Sequence, residues 1–211
     1  MRHLVIGLGE VGKAIQKVFD CEGIDKGQEA EGTFDVIHIC IPYSDDFVDV
    51  VGLFQDTYQP KYTIIHSTVP VGTSRKCGAI HSPIRGIHPN LYEGVMTFVK
   101  FLGGVDASGV ADEFRKHGIK VMLCDNPETT ELGKLLDTEF YRACIEFTLR
   151  AKKICLEKGV NFNEAYTLFN LTYNEGYTEL GHKEYVRPTL NPIMKEIGGH
   201  CVLPNKELIK L

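Results

Sequence analysis

The chain has no apolar run approaching the roughly 20 residues that a membrane span requires, no low-complexity tract and no internal repeat. It has no excess of positive charge either. Its 23 Lys and Arg against 28 Asp and Glu leave a formal net charge of -5, which argues against nucleic acid or an anionic membrane as the main partner. Its seven cysteines, at positions 21, 40, 77, 124, 144, 155 and 201, contain no CxxC pair. An odd and scattered set fits reduced thiols in a cytoplasmic protein better than a disulfide framework or a zinc site, and no metal is expected. Met1 runs straight into strand-like sequence, so no signal peptide is expected ahead of the fold. What remains is an ordinary globular composition, 43% hydrophobic and 24% charged over 211 residues. That length suits one large domain or one and a half small ones.

The first pattern that carries chemistry is Gly7-Leu8-Gly9-Glu10-Val11-Gly12. His3 to Ile6 reads as a short apolar strand, and Glu10 to Phe19 has helical spacing at Val11, Ala14, Ile15 and Val18. The glycines therefore fall at a strand-to-helix turn, the context a dinucleotide fingerprint requires. Gly7 permits the turn, Gly9 lets a pyrophosphate approach the backbone, and Gly12 lets helix and strand pack closely. The helix N-terminus then offers free N–H groups to the phosphates. A second strand around Cys21 to Asp25 ends in a carboxylate about 18 positions after the first glycine. Asp25 can accept hydrogen bonds from ribose hydroxyls and repel a 2′-phosphate, which favours NAD over NADP, or it can be a plain turn residue at a strand end.

Further strands are expected over Asp35 to Pro42, Tyr62 to His66, Phe98 to Gly103 and Lys120 to Cys124, with helices over Phe47 to Phe54 and Ala111 to His117. The alternation predicts an α/β fold, a Rossmann-type doubly wound, mostly parallel sheet over residues 1–126. From Pro127 to Lys158 the only glycine is Gly133, and apolar residues from Leu132 to Cys155 recur at three-four spacing. This predicts one amphipathic helix of roughly 45 Å, too long for a small domain to cover. Residues 127–211 should thus hold a long central helix, a small helical extension and a C-terminal loop, with a homodimer expected across the helix. Lys134, near its start, has two readings: a cation reaching back toward a nicotinamide, or a solvated lysine paired with Glu131 or Asp137. Tyr166, Tyr173, Tyr177 and Tyr185 either line a pocket or pack the extension. Arg187 suits an anionic substrate group or the surface.

Near the C-terminus stands Gly198-Gly199-His200-Cys201, a place for a nucleophilic thiol. With GLGEVG (7–12), HSTVPVGTSRK (66–76), ELGKLLDTEFYRACIEF (131–147) and GGHCVLP (198–204) in this order, the chain resembles the UDP-glucose/GDP-mannose 6-dehydrogenase family. That family oxidises a sugar primary alcohol to a carboxylate in two NAD-dependent hydride transfers. The resemblance implies that Cys201 holds the intermediate as a thiohemiacetal and then a thioester. It places Lys134 on the family's catalytic lysine and Thr68 on its threonine near the nicotinamide, and lets the Gly198-Gly199 backbone pass close to a sugar. Thr138 stands where the family usually has Asn, Pro83-Ile84-Arg85 where it has a Pro-Glu pair, and Asn205 or Lys206 where an acidic residue follows the cysteine. The family also continues into a second Rossmann-like domain, beyond the length of this chain.

The expected cofactor is NAD, bound by Gly7, Gly9, Glu10, Val11, Gly12, Asp25, Pro42, Ser67 and Thr68. The expected catalytic set is Cys201, Lys134, Thr68 and Thr138. Gly198, Gly199, His88 and Arg187 would meet a small-molecule substrate, a sugar or sugar nucleotide. Two other classes stay open. Gly86-Ile87-His88-Pro89-Asn90 resembles the His-Pro segment of prephenate dehydrogenases, and a β-hydroxyacid dehydrogenase would keep Lys134 without a covalent step. A non-catalytic NAD-binding protein would bind the cofactor without turnover.

Overall fold

The computed structural model describes residues 1–192 and residue 208, and the chain divides into two compact units, Met1–Leu135 and Leu136–Leu211. The first is the expected α/β sheet. Strands β1 (His3–Ile6), β2 (Glu22–Ile24), β3 (Val36–Ile39), β4 (Tyr62–Ile65), β5 (Ile80–His81), β6 (Lys100–Gly103) and β7 (Val121–Cys124) lie in the order β2-β1-β3-β4-β5-β6-β7. All neighbouring pairs are parallel except β5 and β6, which run antiparallel and meet in the single register pair His81↔Gly103.

Both faces of the sheet are covered, which is why its central strands are mostly apolar rather than alternating, with His3, His38 and Thr63 as buried polar exceptions. Leu4, Ile6, Ile37, Ile39 and Ile65 point to one side, against Phe47 and Val51 of α2 (Phe47–Tyr58). Val5, Val36 and Ile64 point to the other. There they meet Ala14, Ile15, Val18 and Phe19 of α1 (Glu10–Phe19) and Val110 and Phe114 of a helix over Ala107–Lys116. Two short helices complete this unit, α3 (Thr73–Lys76) and α4 (Leu91–Thr97); the Ala107–Lys116 helix is α5. The sequence pattern missed α3, α4 and the two-residue β5, which are too short to show a period. It also placed the start of α5 at Ala111, four residues late, because Asp106 to Gly109 reads as a turn.

The long helix α6 spans Pro127–Lys158, the range that its three-four spacing indicates. Of its apolar stripe, Leu135 and Cys155 are buried, whereas Phe140, Phe147 and Ile154 are exposed in the single chain. The second unit continues through a π-helical turn over Asn163–Leu168, α7 (Phe169–Glu179) and a 3₁₀ turn over Lys183–Tyr185. Tyr166 anchors it: the ring stacks on Phe162 at 4.9 Å and the hydroxyl lies 3.0 Å from Thr148 Oγ1. Among the described residues no helix is long and apolar enough to cross a membrane.

Candidate functional site

The sheet order reverses direction between β1 and β3, since β2 lies on one side of β1 and β4 on the far side of β3. In an open α/β sheet the crevice outside the strand carboxyl ends at such a point is where ligands bind. The loops that follow β1, β2, β3 and β4 all leave by that edge. They carry Gly7–Gly12, Asp25, Pro42, and Ser67 with Thr68, so the topology brings every cofactor residue expected from the sequence to one edge.

The glycine turn has the geometry its sequence implies. Gly7 has a φ of +92°, and its N–H donates to Ile24 O at 2.9 Å. A Cβ on Gly12 would sit 1.8 Å from the carbonyl oxygen of Gly7, so only glycine lets α1 lie this close to β1. A Cβ on Gly9 would meet nothing within 4 Å. Gly9 is also the N-cap of α1 and supplies no side chain to it. The first N–H groups of the helix therefore keep their positive end toward open space above Gly9. Such a cradle fits a pyrophosphate.

Around the turn the other loops are tied down. Ser67 Oγ donates to Ile41 O at 2.5 Å, joining the loops after β3 and β4. Pro42 is exposed and Thr68 half-buried in those loops. Asp25 is exposed just beyond β2, and its Oδ1 accepts the Lys26 N–H at 2.9 Å, which fixes the carboxylate while leaving it open to solvent. His88, in the loop after β5, has its Nδ1 against the Glu10 carboxylate, so the His-Pro segment is held to the first turn of α1.

Lys134 is half-buried on α6. Glu131, read from sequence as one of its partners, spends its two carboxylate oxygens on the N–H groups of Gly72 and Ser74, at 2.6 and 2.7 Å. This fully buried carboxylate pins the loop carrying Val69 to Gly72 against α6, a role the sequence did not disclose. Close by, His81 Nδ1 lies 2.8 Å from Thr130 Oγ1 and its Nε2 3.2 Å from Ser67 O. Burial pushes the His81 imidazole down to about 3, with positive charge on the nearby Lys100 or Lys134 acting in the same direction and the Ser67 carbonyl opposing it. His81 is a neutral ring linking α6 to the loop after β4.

Thr138 lies one turn beyond Lys134 on α6 and is buried. In the second unit Arg187 places its guanidinium carbon 3.5 Å from the centroid of Tyr173, while Asn174 holds its backbone at both ends, at 2.8 and 2.9 Å. Tyr166, Tyr173, Tyr185 and Arg187 line a cavity of about 550 Å³ in that unit. The tyrosines thus do both things expected of them. Gly198, Gly199 and Cys201 lie outside the described residues. Among the described residues, no group of three His, Cys, Asp or Glu is arranged to hold a metal ion.

Compared with known proteins, the sequence matches no family model and no curated protein sequence. Solved structures do share its fold. A UDP-D-ManNAc dehydrogenase from Pyrococcus horikoshii aligns over 99% of this chain and 64% of its own, with a TM-score of 0.78 and 19% identity. A UDP-N-acetyl-mannosamine dehydrogenase from Staphylococcus aureus aligns over 96% and 63%, with a TM-score of 0.68 and 18% identity. A 3-hydroxyisobutyrate dehydrogenase from Mycobacterium tuberculosis aligns over 76% and 67%, at 0.60 and 14%. The chain spans just under two thirds of the length of these two nucleotide-sugar enzymes. At such identities the likeness is one of architecture: the chain has the Rossmann-type fold of these dehydrogenases.

Proposed function

We propose that the protein is an NAD-dependent oxidoreductase resembling the nucleotide-sugar dehydrogenases, acting on an alcohol group of a sugar or sugar nucleotide. The observation that carries this reading is the glycine turn, where the Gly9 position is open and the Gly12 position is closed to any side chain at the uncapped start of α1. Likeness in fold to two enzymes named for UDP-N-acetylmannosamine supports the substrate class.

In this reading Gly7, Gly9, Glu10, Val11 and Gly12 hold the pyrophosphate of NAD, and Asp25 takes the ribose hydroxyls. Pro42, Ser67 and Thr68 form the wall of the crevice at the loops after β3 and β4. NAD, when bound, supplies the hydride acceptor. Lys134 and Thr138 orient the substrate oxygen from α6, the lysine stabilising negative charge on it. The Cys201 thiol adds to the aldehyde carbon and holds it for the second oxidation, and Gly198 and Gly199, lacking side chains, let the backbone pass close to the sugar. Arg187 offers a guanidinium to an anionic group of the substrate. The exposed Phe140, Phe147 and Ile154 on α6 support a homodimer across that helix. A cytoplasmic location agrees with the free cysteines among the described residues.

The test is NAD binding by calorimetry, followed by NADH formation on a panel of sugar nucleotides and small hydroxy acids. Turnover should fall at least about a hundredfold in Cys201→Ala, as expected when a covalent nucleophile is lost. Asp25→Ser should cost NAD about tenfold in affinity, about 1.4 kcal/mol, while improving NADP. A protein that binds no dinucleotide would overturn the proposal. A second reading has its own support in the His88–Glu10 contact and the likeness in fold to 3-hydroxyisobutyrate dehydrogenase: a prephenate- or β-hydroxyacid-type enzyme. Full turnover on a hydroxy acid in Cys201→Ala would favour it. Tight NAD binding with no turnover would favour a non-catalytic, partner-dependent protein.

A further inference from the structure

Three of the histidines form a continuous buried row across the sheet. His3 Nδ1 lies 2.9 Å from His38 Nε2, and His38 Nδ1 lies 2.9 Å from His66 Nε2. The rings are near-parallel, with centroids 5.2 Å apart at both steps. His66 Nδ1 then meets Ser82 O at 2.7 Å and Lys100 Nζ at 3.2 Å. The row runs from the start of β1, through β3, to the residue after β4. It thus crosses the sheet from the amino edge to the carboxyl edge, on which the glycine turn opens. Lys100 stands at that carboxyl edge because β6 is antiparallel to β5.

The hydrogen-bond partners dictate the tautomers. A carbonyl oxygen accepts only, and His66 Nδ1 lies closer to Ser82 O than to Lys100 Nζ, so with an uncharged Lys100 the proton sits on Nδ1 toward Ser82 O and Nε2 accepts. His38 then donates from Nδ1 and accepts at Nε2, and His3 likewise donates from Nδ1. The His38 and His66 rings are therefore neutral with the proton on Nδ1, and His3 presents its own Nδ1 proton to His38. Lys100 Nζ donates to Ser82 O at 2.5 Å and Pro83 O at 2.8 Å. A neutral amine has two N–H groups and one lone pair; the two are spent on carbonyls and the lone pair faces His66 Nδ1–H. An ammonium would aim a third proton at a nitrogen that already holds one. Burial drives Lys100 well below the usual lysine range, helped by Lys134 and Arg85 and opposed by Cys40. Burial likewise lowers His38 and His66, with the neighbouring rings and Lys100, when it is charged, acting in the same sense and the Ser82 carbonyl opposing it at His66.

The far end is built differently. His3 Nε2 lies 3.6 Å from Glu113 on α5, a carboxylate that also meets Lys116 at 2.5 Å and the amino group of Met1 at 3.6 Å. His117, just past the end of α5, is a further titratable neighbour of His3, and His81 and Lys134 face the Lys100 end.

We propose that His3, His38 and His66 are a proton-transfer row that loads Lys100 with one proton drawn from the Glu113 end of the sheet. The proton bonds to His3 Nε2. Each ring then passes its Nδ1 proton to the Nε2 of the next, and His66 gives its Nδ1 proton to the Lys100 lone pair. One N–H bond forms for each that breaks. The loaded row holds three neutral rings, now protonated at Nε2, with the positive charge on Lys100 and a His3 N–H facing Glu113. The reverse transfer restores the first state without any ring turning over. The carboxyl edge thereby gains or loses a positive charge through the protein interior, on the same edge of the sheet as the crevice assigned above to phosphates; that use rests on the proposed dinucleotide site, but the row itself does not.

The test is histidine ¹⁵N NMR of the full chain without any ligand, because nitrogen shifts separate a protonated from a bare Nδ1 or Nε2. At pH 8 both His38 and His66 should show protonated Nδ1 and bare Nε2. As pH falls, both rings should exchange the two patterns at one shared midpoint while staying neutral. Lys100→Met should keep both rings in the first pattern at every pH where the protein is folded, and His3→Gln should do the same for a row severed at its far end. Rings that become imidazolium one by one, or that hold the first pattern until the wild-type chain unfolds, would overturn the proposal. A switch that survives Lys100→Met would overturn it as well. Loss of NAD binding leaves these readouts untouched, so failure of the dinucleotide reading is told apart from failure of the row.

Discussion

Alanine in place of Gly12 should lower the stability of the first unit by about 3 kcal/mol and abolish dinucleotide binding. The added methyl would lie 1.8 Å from the Gly7 carbonyl oxygen and 3.3 Å from Val5 Cγ1. That oxygen has nowhere to retreat: Gly7 is itself enclosed, with Ile41 and the Cys40 carbonyl 2.9 to 3.0 Å from where its own Cβ would be. The remaining relief is for α1 to lift from β1, which moves the N–H groups that form the anion cradle. In a chain of this size the loss corresponds to a fall in melting temperature of roughly 6–12 °C. Gly9→Ala supplies the contrast. Gly9 has an ordinary φ of -67° and open space around it, so this variant should melt with the parent and lose affinity only if a ligand passes there. Thermal unfolding and NAD calorimetry on the two variants check both statements. A Gly12→Ala protein that melts with the parent would show that the close approach is not real.

The protein should also be unusually sensitive to acid. His38, His66 and His81 are buried as neutral rings, with His81 held down to about 3. In the unfolded chain each regains an ordinary value near 6.5 and takes up a proton as pH falls below it. The unfolded state then binds more protons than the folded one, so stability must fall as pH falls. Each ring contributes a slope of about 1.4 kcal/mol per pH unit, and three together roughly 4 kcal/mol per unit below about pH 6. The Glu113 carboxyl, held low first by Lys116, adds loss in the same direction at lower pH. Against a total stability of roughly 5–15 kcal/mol, this places acid unfolding within about one to four units of pH 6. Urea unfolding at pH 8, 6 and 5 measures it; equal midpoints at pH 8 and 5 would contradict the neutral burial of these rings.

The two sets of residues differ in how they could be read. Gly7, Gly9 and Gly12 were legible because their spacing and the apolar runs on either side are local, and local geometry is what a sequence pattern reports. The same holds for α6, whose stripe repeats over the whole of Pro127–Lys158. Glu131 was not legible: its partners are the N–H groups of Gly72 and Ser74, some 57 to 59 residues away. A backbone N–H leaves no mark in a sequence. The histidine row left a faint one. His3, His38 and His66 each sit within or beside a strand that is otherwise apolar, in HLVI, VIHI and YTIIH, and a polar ring in a strand buried on both faces must find a partner. That the partners are one another follows only from strand order, which sets β1, β3 and β4 side by side. The antiparallel β6 was hidden for a similar reason, since strand direction is set by how the chain returns and not by the strand's residues.

That reversal has a mechanical consequence. The sheet is two parallel blocks, β2-β1-β3-β4-β5 and β6-β7, stitched at the backbone by one register pair. Lys100, reaching across from β6 to the carbonyls of Ser82 and Pro83, acts as a side-chain rivet over this thin seam. Loading it strengthens the rivet, because an ammonium holds carbonyls more tightly than an amine does. Deuterium uptake along β6 should therefore follow the charge of a single lysine, making the seam the place where the sheet would come apart first.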